Sequence, residues 1–375
     1  KKVAEAVKEC PDVTAVVCWA YDGADMKGPD GKEIKCYTWD QLLELSSNTS
    51  DDVISERLAA QKPGHCCALI YTSGTTGNPK AVMISHDNIL FDAVSASSGM
   101  PEVCATETEE RILSYLPLSH VAGMMVDVVM PIVTTATRPG WVCAFFARPY
   151  DIKLGSVVQR TNAVKPTMFL GVPRVWEKLA EKLKAIGAAT KPGLKKSLAS
   201  WAKSTSLAHM QECQMGKSGY VPFGHSIANV LLNKIKVKLG LDQCKFAFTG
   251  AAPISFETLS YWGSLGLQIN EVYGMSENTG GGTWSKNDTH VWGSCGYQVP
   301  GTEVKIFKCE DGDINKKQEC PPAKDLANAT EEEQGEVCMR GRHIMLGYMG
   351  NPALGAEHMS TIDKKNSEAI DNEGW

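Results

Sequence analysis

Short apolar runs rich in branched residues alternate along this chain with segments whose apolar positions recur every three to four residues, and the two periods predict different elements. The runs Val13–Trp19, Cys66–Thr72, Ala81–Ser85, Ile112–Leu116, Thr167–Gly171, Cys244–Thr249 and Leu267–Tyr273 predict strands, most of them buried on both faces. Between them, Arg174–Ile186 sets Val175, Leu179, Leu183 and Ile186 on one side and Glu177, Lys178, Glu181 and Lys182 on the other, which predicts an amphipathic helix. Ser226–Leu239 repeats the pattern through Ile227, Val230, Leu231 and Ile235. Strands alternating with helices predict an α/β fold of stacked, mostly parallel sheets flanked by helices.

After about Thr283 turn residues and shorter alternating strands, Glu303–Phe307 and Glu336–Arg340, predict a smaller β-rich subdomain, with the polar stretch Glu310–Gln334 as a solvated loop. The expected division is 1–64 as the remainder of a first α/β subdomain, 65–283 as the main α/β body, and 284–375 as an incomplete β-rich part. With 375 residues, 43% of them hydrophobic, the chain can bury a large core and exceeds one ordinary compact domain. The net charge of -5 is spread through interspersed acids and bases, so no basic stripe exists to neutralise nucleic-acid phosphates, and nucleic acid is not an expected partner.

Thirteen cysteines are scattered, odd in number and often set in apolar runs, as at Cys66, Cys67, Cys143 and Cys244, which fits reduced thiols better than a disulfide framework. None has CxxC spacing, so structural zinc is not expected. The longest apolar stretch, Val121–Thr135, contains Asp127 and Pro131 and falls short of the ~20 residues of a spanning helix, so it predicts a buried helix. No signal-peptide pattern is present, and the first residue is Lys1, so targeting is not legible from this end.

The chemistry starts at Tyr71-Thr72-Ser73-Gly74-Thr75-Thr76-Gly77-Asn78-Pro79-Lys80, which follows a predicted strand and concentrates hydroxyls, two glycines and a lysine. Glycines let backbone amides approach an anion, hydroxyls donate to phosphate oxygens, and the lysine brings a mobile positive charge; the plain alternative is a Gly/Ser/Thr turn. A P-loop does not fit, because only two residues separate Gly74 from Gly77 and Lys80 leads into a strand rather than a helix.

This run resembles the phosphate-binding signature of the adenylate-forming superfamily, which includes acyl-CoA synthetases, luciferases and adenylation domains. Further segments resemble that family in order: Thr249-Gly250-Ala251-Ala252-Pro253, Asn270-Glu271-Val272-Tyr273-Gly274-Met275-Ser276-Glu277, and Gly335-Glu336 through Gly347-Tyr348. Among its branches the chain is similar to bubblegum-type long-chain acyl-CoA synthetases, through Leu116-Pro117-Leu118-Ser119-His120, Gly171-Val172-Pro173-Arg174-Val175-Trp176, Gly193–Lys196, Arg340–Tyr348 and Glu368–Trp375. The resemblance implies the large amino-terminal domain of that fold and an AMP-forming ligase that joins a long-chain fatty acid to coenzyme A through an acyl-adenylate, using ATP and Mg2+.

It implies roles residue by residue. Thr72, Ser73, Gly74, Thr75, Thr76, Gly77 and Lys80 would hold the β- and γ-phosphates, Glu277 would bind magnesium, and the Ser276 hydroxyl would face a phosphate where the family usually has threonine. Gly250, Ala251, Ala252 and Pro253 with Glu271, Tyr273, Gly274 and Met275 would bracket adenine, Tyr273 by stacking unless it is a core aromatic at a strand end. His120 would orient and stabilise charge near the acyl carboxylate rather than move a proton. Gly171 and Trp176 match a segment where a tryptophan gates a fatty-acid tunnel, with helix packing as the rival role for Trp176.

Ala81 departs from the family's usual glycine after the loop lysine, a change without consequence if it lies in the β region. The family continues past the position of Trp375 into a ribose-binding aspartate, a hinge and a lid with the adenylation lysine, so the chain is expected to be an internal fragment, inactive alone. Cytoplasmic location and peripheral attachment to endoplasmic reticulum membranes are implied by resemblance alone, and no obligate protein partner is inferred. The open alternatives are adenylation of an amino or aryl acid, and a catalytically dead lipid- or nucleotide-binding homologue.

Overall fold

The strand-forming runs become sixteen strands in the computed structural model, which describes residues 2–20, 22–72, 79–105, 107–148, 150–214, 219–309, 313, 315–325 and 328–375. The chain divides into two compact units, Lys1–Lys62 and Pro63–Trp375.

In the first unit, β1 (Ala15–Cys18), β2 (Met26–Lys27) and β3 (Glu33–Thr38) form a sheet of order β1-β3-β2, parallel between β1 and β3 and antiparallel between β2 and β3. β3 was not expected from the pattern; its alternation buries Ile34 and Cys36. Thr38 then starts the helix Trp39–Ser46 through a reciprocal capping box with Gln41, which satisfies two of the free amides at the helix start.

The second unit carries β4 (Cys66–Thr72), β5 (Lys80–Ser85), β6 (Glu109–Ser114), β7 (Trp141–Phe146), β8 (Met168–Leu170), β9 (Phe246–Thr249), β10 (Ile269–Tyr273), β11 (Thr283–Trp284), β12 (Tyr297–Gln298), β13 (Glu303–Cys309), β14 (Lys317–Glu319), β15 (Glu336–Arg340) and β16 (Gly347–Tyr348). A seven-stranded sheet has the order β12-β11-β10-β9-β8-β6-β7 and is parallel from β10 to β7, with β11 and β12 added antiparallel. The sheet therefore runs through residue 283 without interruption. A second sheet, β16-β5-β4, is antiparallel throughout, and a third, β14-β13-β15, is the expected β-rich part.

Two corrections concern this unit. Ala81–Ser85 is not a parallel strand but the return arm of a hairpin with β4. The stretch Glu310–Gln334 is not wholly loop, because Lys317–Glu319 pairs with Phe307–Cys309 as β14. The predicted buried helix at Val121–Thr135 is a composite, α-helical over Val121–Met124 and Met130–Thr137 with a π-helical turn at Met125–Val129 between them.

The period of two in the parallel strands separates two apolar layers. Phe169, Ala247 and Ile269 face a core with Trp176, Ala202, Leu232, Leu259 and Trp262, contributed by the helices Pro173–Ala189, Leu194–Glu212, His225–Leu239 and Phe256–Ser264. Met168, Phe246 and Phe248 face the opposite layer, with Met100, Met130, Trp284 and Val272. The site lies on this second side.

Candidate functional site

β4 and β5 are held in register up to the pair Thr72 and Lys80, which puts these two residues on the last rung of the hairpin. Ser73, Gly74, Thr75, Thr76 and Gly77, the centre of the expected phosphate grip, lie outside the described residues. Of this pair Thr72 faces a cavity of about 470 Å3, whose wall also includes His120, Gly250, Ala251, Gly274, Met275, Ser276 and Glu277. The hydroxyl of Thr72 is buried with no hydrogen-bond partner among the described residues, as is that of Thr249 at the start of the 249–253 turn. Buried hydroxyls are normally paired, so the orphan of Thr72 on the cavity wall suits an oxygen-rich ligand such as a phosphate, whereas Thr249 does not line the cavity.

Lys80 is joined to Glu277 by a residue to which the sequence reading gave no role. Lys80 Nζ donates to the Tyr348 hydroxyl at 3.1 Å and sits 4.2 Å from the centre of the same ring, while that hydroxyl donates to Glu277 Oε1 at 2.8 Å. Burial, and then the bond to Glu277, push the Tyr348 phenol above its ordinary range, so it stays a donor at neutral pH. The signal that could have found it is its place in Gly347-Tyr348: β16 pairs with β5, with Tyr348 opposite Val82.

Ser276 and Glu277 start a single 3-10 turn, Ser276–Asn278, anchored by Asn278 Oδ1 accepting from the Met275 amide at 2.8 Å. Gly274 precedes it because a Cβ there would overlap the Gly280 carbonyl, a close approach that only glycine permits. Glu277 Oε1 is engaged by Tyr348, whereas Oε2 has no partner among the described residues and remains an anionic oxygen donor on the cavity wall. One carboxylate with a free oxygen, beside a place for phosphates, fits Mg2+, which takes one or two carboxylates together with substrate phosphates.

Gly250 lies against β10, where an added Cβ would stand 3.2 Å from the Val272 carbonyl. Ala251 follows with φ 68°, a left-handed conformation that is strained for alanine, and it lines the cavity while Ala252 and Pro253 are exposed. The alternation of β10 turns Val272 into the cavity and directs Glu271 and Tyr273 to the other face. Tyr273 stays 37% exposed at the strand end. Glu271 is buried, accepts from the Gly293 amide at 2.7 Å, and burial pushes its carboxyl up to about 7.

His120 caps the segment Val121–Met124, its Nδ1 accepting from the Ala122 amide at 3.1 Å. That bond fixes the neutral tautomer with hydrogen on Nε2, leaving a donor at the cavity wall. Trp176 and Gly171 are placed differently from the gate they were expected to form. Trp176 is fully buried on the far side of the parallel sheet, edge-on to Phe169 and Trp262, with Nε1 donating to the Phe248 carbonyl at 3.3 Å. A Cβ on Gly171 would collide with that indole, so this pair is a packing unit, and neither residue lines the cavity. Ala81 sits in the β5 ladder without positive φ, the conformation in which alanine in place of glycine carries no strain.

The rest of the cavity is apolar: Ala93, Ala96, Met100, Met125, Met130, Phe246, Phe248 and Trp284 surround it, with Asp92 as an acidic exception. A polar end and a long apolar body thus share one space. A second cavity of about 250 Å3 adjoins it through Glu277 and reaches Lys317, Glu336, Asp371 and Trp375.

Comparison with known proteins agrees with this arrangement. The profile described as "AMP-binding enzyme" matches residues 1–349. The chain is similar over its whole length to the long-chain-fatty-acid–CoA ligases ACSBG2 of Gallus gallus (38% identical, covering 43% of that protein) and Xenopus laevis (35%, covering 45%), and to ACSBG1 of Bos taurus (35%, covering 45%). The chain thus spans less than half the length of these curated relatives. Among solved structures, ATP-bound MatB from Rhodopseudomonas palustris shares the fold over 96% of this chain and 55% of its own, with TM-score 0.54 and 17% identity.

Proposed function

Because this chain belongs to the AMP-binding enzyme family, we propose that the full-length protein activates long-chain fatty acids with ATP and transfers them to coenzyme A. The observation that carries the proposal is that one cavity wall combines Thr72, Ser276 and Glu277 with the apolar Met100, Met130, Phe246, Phe248 and Trp284. Its volume of about 470 Å3 falls in the range of sites that bury a small amphiphilic ligand, roughly 300–1,000 Å3.

In the first half-reaction a fatty-acid carboxylate oxygen attacks the α-phosphorus of ATP, the bond to the bridging oxygen breaks, and pyrophosphate leaves. Two anions must approach, so the residues around them have to supply cations and oriented donors. Lys80, steered by Tyr348, brings the positive charge; Thr72 and Ser276 bring hydroxyls; the neutral His120 presents Nε2–H toward the acyl carboxylate. Glu277 would hold Mg2+, which when bound neutralises phosphate charge. Gly250 and Ala251 would flank adenine. In the second half-reaction the thiol sulfur of coenzyme A attacks the acyl carbon and AMP leaves. The proposed setting is cytoplasmic, at endoplasmic reticulum membranes; among the described residues no helix is long and apolar enough to cross one.

The test is substrate-dependent pyrophosphate exchange by the full-length protein across a panel of fatty, aryl and amino acids, followed by thioester formation on adding coenzyme A. Long-chain fatty acids should drive both steps. Exchange driven by aryl or amino acids instead, or by none of the panel, would overturn the proposal.

A further inference from the structure

Helix His86–Ser98 lays one face along the cavity, and that face is apolar except at one position. Asp92, Ala93 and Ala96 line the cavity from this helix, with Met100 just beyond its end. Asp92 is only 4% exposed and has no hydrogen-bond or ion-pair partner among the described residues. Its surroundings give it none: a Cβ built on Gly280 would lie 3.3 Å from Asp92 Oδ2 and 3.5 Å from Met125 Cγ, so the acid is bordered by a methionine and by the space a missing side chain leaves. Burial alone raises this carboxyl well above the usual carboxylate range, which favours its protonated form.

An unpaired carboxyl in an apolar wall is costly, and buried polar groups as a rule have partners. Here the missing partner has a place. Gly280 closes the turn that begins at Met275, its amide donating to the Met275 carbonyl at 3.1 Å, so Asp92 stands next to the turn that carries Ser276 and Glu277. A ligand passing this point would be in the first few carbons of an acyl chain whose carboxylate lies at the polar end. A hydroxyl there can donate to a carboxyl oxygen of Asp92 in either protonation state, and accept from it when the acid carries its proton, so that the buried carboxyl gains a partner.

We propose that Asp92 is a specificity-determining residue that recognises a hydroxyl on the carboxyl-proximal carbons of a long-chain fatty acid, so that the site takes α- or β-hydroxy acids in preference to unsubstituted ones. This rests on the fatty-acid reading of the cavity. A site built to pair with a substrate hydroxyl discriminates strongly against the analogue that lacks it, because its own polar group is then left unsatisfied.

The experiment compares kcat/KM of the full-length protein for hexadecanoic acid, its β-hydroxy derivative and its ω-hydroxy derivative, in the wild type, Asp92→Leu and Asp92→Asn. The wild type should favour the β-hydroxy acid over hexadecanoic acid by on the order of tenfold or more. Asp92→Leu should abolish that preference, mainly by improving hexadecanoic acid, and Asp92→Asn, which keeps a donor and an acceptor, should retain it. Turnover of hexadecanoic acid with no β-hydroxy preference in the wild type, or with equal preference for the ω-hydroxy acid, overturns the role of Asp92 and leaves the ligase reading standing. A preference unchanged in Asp92→Leu does the same. Failure of the wild type to act on any of the three acids overturns both.

Discussion

Tyr348 gives one hydroxyl to two charged groups, and its substitution separates binding geometry from packing. In Tyr348→Phe the ring that lies under Lys80 remains, while Lys80 loses an acceptor and Glu277 a donor. Hydrogen bonds to charged groups contribute about 1.5–3 kcal/mol, so kcat/KM for ATP should fall about tenfold or more, and the magnesium concentration needed for half-maximal rate should rise. Unchanged kinetics, with the circular dichroism spectrum preserved, would show that the bridge is incidental. Lys80 was singled out in the sequence because hydroxyls, glycines and a lysine gathered in one short run carry their chemistry openly, whereas Ser276, Glu277 and His120 were singled out by resemblance to family motifs, and the structure sets these three on one cavity wall. Tyr348 was quoted within a motif without a role, because its meaning depends on a side-chain contact with Lys80, 268 positions away. Asp92 was invisible for another reason: an acid in His86-Asp87-Asn88-Ile89-Leu90-Phe91-Asp92 looks like any helix acid until the cavity beside it is known.

At the scale of elements, the helix Pro173–Ala189 matched its periodicity within a few residues, yet the role attached to Trp176 did not follow from the helix. The indole belongs to the core behind the parallel sheet, with Trp262 Nε1 donating to the Trp176 carbonyl at 3.3 Å. Trp176→Ala should therefore cost about 3–5 kcal/mol of stability, read from chemical denaturation of the full-length protein. The milder Trp176→Phe should leave chain-length preference unaltered in the acid panel; a shifted preference at intact stability would restore the gating role. The central strands were readable because strands buried on both faces are nearly continuous apolar runs, as in Phe246–Thr249. β14 was not, since Lys317-Gln318-Glu319 has no apolar residue and becomes a strand only by pairing with Phe307–Cys309. The hairpin sense of β4 and β5 was equally hidden, because a run of hydroxyl residues between two strands does not disclose the direction in which the second returns.

For the whole molecule, buried acids set a pH dependence. Glu271 is raised by burial from an ordinary 4.5 to about 7, so the folded state holds its proton more tightly than the unfolded chain. Its favourable contribution is complete below about pH 4.5 and is lost as the pH rises through about 7. His343, buried beside Phe91 and lowered by desolvation from 6.5 to about 4, acts in the other direction, its contribution being present above 6.5 and lost as the pH falls through 4. A comparison with Glu271→Gln isolates the first effect: the melting temperature of the variant minus that of the wild type should climb between about pH 4.5 and 7 and be level on either side. A difference independent of pH would mean that Glu271 titrates alike in both states. Such effects leave no mark on a sequence, where Glu271 is one acid among many.

The pairing of β16 with β5 also has a bearing on biosynthesis. As the polypeptide leaves the ribosome, the hairpin that presents Lys80 is complete early, but the outer edge at Val82 and Met83 receives its neighbour only when Gly347 and Tyr348 emerge. Throughout that interval an apolar strand edge with open amide and carbonyl groups is available to wrong partners, the circumstance in which nascent chains draw on chaperones. Products of premature termination before Gly347 would keep that edge permanently, and with it a tendency to aggregate.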